Sequence, residues 1–304
     1  MKHDYRKEKG MKKFFILLVV LPVLIIFSGI VSCGTAPSPA PAAAPSGPPT
    51  PPPPQVPEHT APVIEVSLAP EFFSPDGDGV DDTLQIRIRV RTESLIRDWR
   101  MEIREPQPPY PVFHELSGRG EPPANLTWNG KSSSGELVQS ASDYPFKITV
   151  TDINGNSSDY DGIIKVDVLV IRDPNGALRI QVPSIVFAGY SGNLTGLDAA
   201  TTANNDYILR RIAEALKKFN NYQIKVEGHA NHTGATAAAR QRETAELLAL
   251  SDQRARTVMD YLIRLGIDRS RLSAVGIGGA RPVARFEDRD NWWKNRRVEF
   301  ILIK

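Results

Sequence analysis

The chain has 304 residues, with 37 Lys or Arg against 35 Asp or Glu, 25 prolines and one cysteine. A single cysteine excludes an internal disulfide framework, a cysteine-cluster zinc site and a Cys-x-x-Cys redox pair. The net charge of +2 gives no support to nucleic-acid binding by bulk electrostatics. The length allows about two domains.

Residues 1–32 have the organisation of a secretory signal peptide. Basic Lys12 and Lys13 precede an apolar run, Phe14–Phe27, which is shorter than the ~20 residues that a membrane span needs. Pro22 in the middle of this run also disfavours a permanent transmembrane helix. We therefore predict that this segment directs export and is then removed.

The next segment, Ile30-Val-Ser-Cys33, resembles the lipobox of bacterial lipoproteins. The resemblance implies cleavage before Cys33 and acylation of its thiol and new amino group. The alternative is a buried structural thiol, but Cys33 lies between an apolar run and a proline tract, with no core around it. Residues 33–62 are rich in proline, which fixes φ and lacks an N–H donor, so we predict an extended tether in the polyproline II conformation.

Residues 63–173 are predicted to form an all-β domain. Apolar and polar residues alternate in Thr83–Arg91 and in Tyr144–Asp152, which is typical of half-exposed strands. Turn residues separate these runs, so we expect an antiparallel sandwich. The segments Phe73–Thr83 and Trp128–Val138 resemble immunoglobulin-like modules of flagellar-hook-capping and gliding-motility proteins, which implies an immunoglobulin-like sandwich.

One turn of this domain is a candidate calcium site. Asp76, Asp78 and Asp82, with Asp81 beside them, lie in a short loop that contains two glycines. Calcium prefers several oxygen ligands from such a loop. The alternative is a solvated turn in which the Asp side chains accept hydrogen bonds from nearby backbone N–H groups.

Strands and helices alternate in residues 177–304. The apolar spacing predicts a first helix over 205–219 and a second helix that starts near Ser251 as its N-cap. Arg254 would then lie in the first turn of the second helix, where unpaired N–H groups receive a carboxylate. The predicted strands of this domain are 179–187, 222–227, 272–277 and 297–303.

Four ordered motifs in this segment are similar to the peptidoglycan-binding domain shared by OmpA, MotB and the peptidoglycan-associated lipoprotein. They are Ile224–Asn231, Leu250–Ala255, Val275–Gly278 and Asn295–Phe300. The resemblance implies an α+β domain, with βαβα order and a mixed four-stranded sheet, that binds diaminopimelate of the peptidoglycan stem peptide. It also implies five ligand-binding residues: Asn231, Thr233, Gly234, Arg254 and Arg296.

The sequence departs from the family pattern at one ligand position. The family has an Asp that binds the ligand ammonium and pairs with the helix arginine, whereas this chain has Asn231 there. A neutral hydrogen bond contributes ~0.5–1.5 kcal/mol and a charge-assisted one ~1.5–3 kcal/mol, so we expect weaker binding. Position alone suggests that Glu243 or Glu246 replaces the missing counter-charge of Arg254.

No nucleophile–base pair or paired-acid motif is evident, so we expect a protein that is not an enzyme. His229 and His232 are candidate metal ligands, but a structural histidine at a strand end is the alternative. The sequence predicts an outer-membrane lipoprotein that faces the periplasm and ties the membrane to peptidoglycan, with further envelope proteins as potential partners. The alternative is a related lipoprotein that has lost or altered wall binding and docks another envelope component. The neutral Asn231, in place of the family Asp, favours this alternative.

Overall fold

The computed structural model describes residues 60–304, so the predicted signal peptide, the predicted lipidation site Cys33 and nearly all of the predicted linker lie outside the described residues. Within this range no helix is both long enough and apolar enough to cross a membrane.

The N-terminal part is built from two sheets. The first has three strands in the order β1-β3-β6, and the second has five in the order β2-β8-β7-β4-β5. All pairs are antiparallel except β2 with β8. The strands are β1 Val63–Ala69, β2 Phe72–Phe73, β3 Leu84–Arg91, β4 Ile96–Arg104, β5 Val112–Arg119, β6 Asn125–Trp128, β7 Asp143–Asp152 and β8 Ser157–Val166.

The alternation of apolar and polar residues explains how these sheets pack. In β3, Leu84, Ile86 and Ile88 are buried, and the residues between them are exposed. They share one core with Trp128 and Tyr144, and the burial of each such side chain contributes ~1.5–3 kcal/mol. The predicted β-rich N-terminal part is therefore confirmed, whereas its immunoglobulin-like class stays a prediction.

The C-terminal part is α+β, as predicted. Its main sheet has the order β12-β11-β13-β10-β9, with β11 and β12 parallel and the other pairs antiparallel. The four predicted strands are present, and β9 adds a two-residue edge strand. The elements are β9 Ile171–Arg172, β10 Leu178–Val182, α1 Ala199–Lys218, β11 Gln223–His229, α2 Ala237–Arg264, a 3₁₀ helix Arg269–Arg271, β12 Leu272–Gly278, a second 3₁₀ helix Arg289–Asn295 and β13 Val298–Ile303.

The two helices cover one face of this sheet. Ile212 and Leu216 of α1 and Val258 of α2 pack on Val226 and Phe300, and all five side chains are fully buried. The opposite face carries charged residues, several of which are also buried. Residues 60–304 lie within one compact unit, in which the N-terminal sheets contact the C-terminal part.

Candidate functional site

The candidate site lies where the C-terminal half of α2 passes over the ends of β11 and β12. Glycines permit this close approach, because a Cβ at Gly228 would collide with the backbone carbonyl of Ser251. Ser251 is fully buried, and its hydroxyl accepts a hydrogen bond from the N–H of Gly278 at 2.8 Å and donates to the carbonyl of Leu248 at 2.9 Å. These contacts fix the depth at which α2 lies on the sheet.

The predicted start of α2 at Ser251 was wrong. The helix begins at Ala237, and the hydroxyl of its N-cap Thr236 accepts a hydrogen bond from the N–H of Ala239. Residues 237–250 are mostly good helix formers without glycine or proline, so the helix extends through them. Arg254 consequently lies about five turns into the helix, and the N-terminal N–H groups of α2 are not available to its ligand.

Arg254 is half-buried, and its guanidinium has no acidic partner among the residues that the structure describes. Its Nε donates to the carbonyl of Ser191 at 3.1 Å, and its guanidinium carbon lies 5.0 Å from the ring centroid of Phe187. Among residues 60–304, no carboxylate forms an ion pair with it. Burial lowers the pKa of Arg254, and the neighbouring Arg296 lowers it further.

Arg296 is the second cation of the site. It follows the 3₁₀ helix Arg289–Asn295, and its pKa is lowered by desolvation of its guanidinium, although the residue as a whole is exposed. The described part of the chain offers Arg296 no ion pair either. Two neighbouring guanidiniums without a counter-charge are suited to bind an anion such as a carboxylate.

Asn231 is held by a residue whose role the sequence analysis missed. The Asn295 side-chain amide donates to Oδ1 of Asn231 at 2.7 Å, and Nδ2 of Asn231 donates to the carbonyl of His232 at 2.7 Å. Asn295 also accepts hydrogen bonds from the backbone N–H groups of Val283 and Ala284 at 2.7 and 2.9 Å. The Asn-Arg-Arg motif contained this residue, but no sequence pattern indicates that its amide connects two loops.

Thr233 and Gly234 belong to the loop before α2 and contact the first two turns of that helix. Glu243 accepts hydrogen bonds from the N–H of Thr233 at 3.1 Å, from its hydroxyl at 2.8 Å and from the N–H of Gly234 at 3.2 Å. Burial opposes ionisation of Glu243, but the hydrogen bonds from Thr233 and Gly234 hold its pKa below the usual range. Glu243 therefore closes the loop that follows β11.

This arrangement separates predicted ligand residues into two groups. Thr233 and Gly234 lie beside Glu243, whereas Arg254 and Arg296 lie near each other. Arg254 follows Glu243 by eleven positions in the helix, which is a distance of about 16 Å along its axis. The proposal that Glu243 supplies a counter-charge to Arg254 was therefore wrong. Glu246 is an exposed residue of the same helix and forms no ion pair in the described chain.

His229 belongs to a buried charged cluster on the other face of the sheet. Its Nε2 lies 3.8 Å from Oε2 of Glu227 and 3.6 Å from Oε1 of Glu299, and all three side chains are almost fully buried. Burial, together with the positive charges of Arg297 and Arg281, lowers the pKa of His229 to about 3. The carboxylates are paired with four cations, which are Arg179, Lys225, Arg281 and Arg297.

These cations oppose binding of a metal ion at His229, because all four carboxylate oxygens of the cluster already face positive groups. His232 does not join the cluster, since its Nδ1 lies 3.3 Å from Oε2 of Glu243. The geometry supports the structural alternative for His229.

The carboxylates of Asp76, Asp78 and Asp82 converge, with one oxygen of each within 4.8 Å of the others. Each also accepts backbone hydrogen bonds. Asp82 accepts from the N–H groups of Gly77 and Gly79 at 2.7 and 2.8 Å, as the alternative of a solvated turn predicts. Asp76 accepts from the N–H of Val170 at 3.1 Å, so this loop is joined to the segment that leads to β9. Calcium binding here stays a prediction.

Comparisons with known proteins agree with this fold. Residues 197–296 match the model of the OmpA family. A peptidoglycan-associated lipoprotein of Mesorhizobium japonicum is 39% identical over 124 residues, which are 40% of this chain and 65% of that protein. The peptidoglycan-binding protein ArfA of Mycobacterium tuberculosis is 32% identical over 108 residues, or 35% of this chain and 31% of that protein.

Among solved structures, the periplasmic domain of Helicobacter pylori MotB covers 42% of this chain and 74% of its own length, at 23% identity and a TM-score of 0.34. The family match over residues 197–296 identifies an OmpA family domain in the C-terminal part of this chain. The chain spans between 31% and 65% of the length of the two curated relatives described above.

Proposed function

We propose that this protein binds peptidoglycan without covalent attachment, through the diaminopimelate residue of the stem peptide, and that it has no catalytic activity. The observation that carries the proposal is the pair Arg254 and Arg296, two neighbouring guanidiniums that have no acidic partner in the described chain. Diaminopimelate brings carboxylates, which such a pair would hold by charge-assisted hydrogen bonds. The names of two relatives, a peptidoglycan-associated lipoprotein and a peptidoglycan-binding protein, support the same ligand class.

Arg254 would have the principal role. Its Nε is engaged by Ser191 and its guanidinium stacks on Phe187, so the side chain is pre-oriented before a ligand arrives. Arg296 would add charge from the opposite loop. Asn231 would offer a neutral amide to the ligand, and Thr233 and Gly234 would form the outer wall of the site.

A sacculus co-sedimentation experiment with the full chain tests this proposal. We expect the wild type to sediment with purified sacculi and to be released by free meso-diaminopimelate, and Arg254→Ala to lose most of this binding. Arg256→Ala is the matched control, because Arg256 lies on the same helix but is exposed and pairs with Asp252. Equal sedimentation of the Arg254→Ala variant and the wild type would refute the proposal.

A second candidate function rests on Asn231. With a neutral amide at this position, the domain would have lost wall binding and would dock another envelope component instead. The two functions differ in the same experiment, since a docking protein would fail to sediment with sacculi even as the wild type. Cross-linking in intact cells would then show one protein partner in place of peptidoglycan.

The segments before the OmpA family domain are proposed to tether it to a membrane. We propose that acylated Cys33 anchors the protein in the outer membrane, that residues 34–62 give reach, and that an immunoglobulin-like sandwich precedes the wall-binding domain in the periplasm. Each buried methylene of an acyl chain contributes ~0.8 kcal/mol, so several chains hold stably. Cys33→Ser should move the protein from the detergent phase to the aqueous phase in a phase-separation assay.

A further inference from the structure

We propose that the N-terminal β-domain positions the candidate wall-binding site, and that Lys294 is the positioning residue through which it acts. The inference rests on the proposed function for its ligand, but its structural part can be tested without one. It assigns a role to the β-domain beyond that of a spacer.

Lys294 joins the two parts of the chain. Its Nζ lies 2.7 Å from Oε1 of Glu105, which follows β4, and 2.7 Å from Oε1 of Glu136, in the loop before β7. Lys294 and Glu105 are buried, at 3% and 4% exposure. The Lys294 ammonium, which belongs to the OmpA family domain, is thus held by two carboxylates of the β-domain.

A buried ammonium of this kind has few alternative positions. The removal of a charge from water is costly, so a buried lysine needs its partners in close and well-defined geometry. Desolvation raises the pKa of Glu105, while the bond with Lys294 opposes that rise. The position of Lys294 is therefore set by Glu105 and Glu136, and any shift of the β-domain is transmitted to it.

Two of the proposed ligand residues, Asn231 and Arg296, are connected to Lys294 through Asn295. The next residue, Asn295, donates to Asn231 and accepts from the backbone of Val283 and Ala284. The residue after that is Arg296. Lys294 and Asn295 belong to the same 3₁₀ helix, and the N–H of Arg296 donates to the carbonyl of Trp293 at 3.1 Å. A displaced Lys294 would therefore displace both the Asn231 contact and the Arg296 guanidinium.

The β-domain has other attachments, so loss of Lys294 need not separate it. Nη2 of Arg211 donates to Oδ1 of Asp167 at 2.7 Å, and the hydroxyl of Ser184 donates to the carbonyl of Ala141 at 3.0 Å. These contacts do not involve the segment that carries Lys294. A variant of Lys294 should therefore remain folded and show the local effect.

The test compares full-chain Lys294→Met with the wild type by two readouts. The first is hydrogen exchange at the amides of Val283 and Ala284, which report whether Asn295 keeps its place. The second is the Kd for meso-diaminopimelate and for sacculi. We expect faster exchange at both amides and a Kd raised about tenfold, within the range for residues of one hydrogen-bond network. Lys147→Met, which removes an exposed ion pair with Asp159, is the control and should change neither.

A double variant separates positioning from stability. Lys294→Met leaves the buried Glu105 without its cation, so the melting temperature should fall, and adding Glu105→Gln should restore much of it. The Kd should stay raised in the double variant, because the connection is still broken. If affinity recovers together with the melting temperature, the effect is one of stability alone and the positioning role is overturned.

The other outcomes of the Lys294→Met experiment also support or overturn the positioning role. Unchanged exchange at Val283 and Ala284 in Lys294→Met overturns the inference. If the wild type binds no wall ligand, the proposed function fails, and faster exchange in Lys294→Met still supports the coupling. Should Lys294→Met fail to fold, Glu105→Gln alone weakens the same contact and takes its place in both readouts.

Discussion

The side-chain amide of Asn295 donates a hydrogen bond of 2.7 Å to the side-chain oxygen of Asn231, and this bond joins the loop after β11 to the segment before β13. An Asp at position 231 would keep this bond, because a carboxylate oxygen also accepts it. It would lose the donor that Asn231 presents to the carbonyl of His232. The neutral amide of Asn231 therefore satisfies both neighbours, as an acceptor for Asn295 and as a donor to His232.

The substitution Asn231→Asp should strengthen binding of diaminopimelate and weaken the fold. The new carboxylate would offer a charge-assisted bond to the ligand ammonium, so we expect the Kd to fall by about five- to thirtyfold. Loss of the donor to His232 should lower the free energy of unfolding by ~1 kcal/mol. Titration calorimetry and chemical denaturation measure the two effects. Asn220→Asp, at an exposed position after α1, is the control, and an unchanged Kd in Asn231→Asp would contradict the prediction.

Glu243 should stabilise the loop that follows β11. In Glu243→Gln the charge is lost and one acceptor oxygen becomes an NH₂ donor, so the bonds from Thr233 and Gly234 weaken. We expect a loss of ~1 kcal/mol in the free energy of unfolding, measured by urea denaturation at pH 7. Glu246→Gln, three residues further along the same helix, should change it by less than about 0.5 kcal/mol.

The pKa of Glu243 gives this prediction a pH dependence. Because its folded pKa is depressed below the ordinary 4.5, the stabilising effect is present above that value and is lost as the pH falls through the folded pKa. The difference between wild type and Glu243→Gln should therefore shrink at low pH. A difference that grows with acidification would contradict this account.

The sequence was sufficient for the order of the elements but not for the start of α2. Strand alternation predicted β3 to within one residue, and the apolar spacing predicted the end of α1 to within one residue but its start six residues late. These patterns succeed where they reflect burial. The stretch 237–250 is largely exposed and has no amphipathic pattern that marks it as packed. Its helical propensity was outweighed in the prediction by Ser251, which has the chemistry of an N-cap but is buried at a helix–sheet contact.

The features of the site that could not be predicted from the sequence are contacts between residues far apart in the chain. Asn295 lies 64 residues from Asn231, and Glu105 lies 189 residues from Lys294, and no local pattern encodes such pairs. Arg296 was found only through the resemblance of its motif, whereas Arg254 was also assigned to a helix start that the structure places elsewhere. That neither has an acidic partner in the described chain could be known only from the structure.

His229 should make the protein less stable as the pH falls from neutral. Its folded pKa of about 3 lies below the ordinary 6.5, so between these values the unfolded chain binds more protons than the folded one. The free energy of unfolding consequently falls with falling pH across this window, by at most roughly 1.4 kcal/mol per pH unit.

The variant His229→Phe isolates this contribution. Both ring nitrogens of His229 are buried and have no hydrogen-bond partner in the described chain, so the substitution breaks no bond that the structure shows. We expect the wild type to lose up to roughly 2 kcal/mol more than the variant between pH 7 and pH 5, measured by urea denaturation. Parallel stability curves for the two proteins over this range would show that His229 is not the group responsible.

Replacement of Tyr190 by glycine should stabilise the protein. It lies in the loop between β10 and α1, is 94% exposed and has a φ of 48°, the left-handed region that a bulky L-residue adopts at a cost. Its side chain gains little burial to offset that cost. Tyr190→Gly should therefore raise the free energy of unfolding by roughly 0.5–1 kcal/mol, since relief of strain exceeds the added entropy of the unfolded chain. Tyr190→Ala retains a Cβ and should bring no such gain. Chemical denaturation of the three proteins decides the matter, and equal stability of the Gly and Ala variants would show that the backbone at this position is not strained.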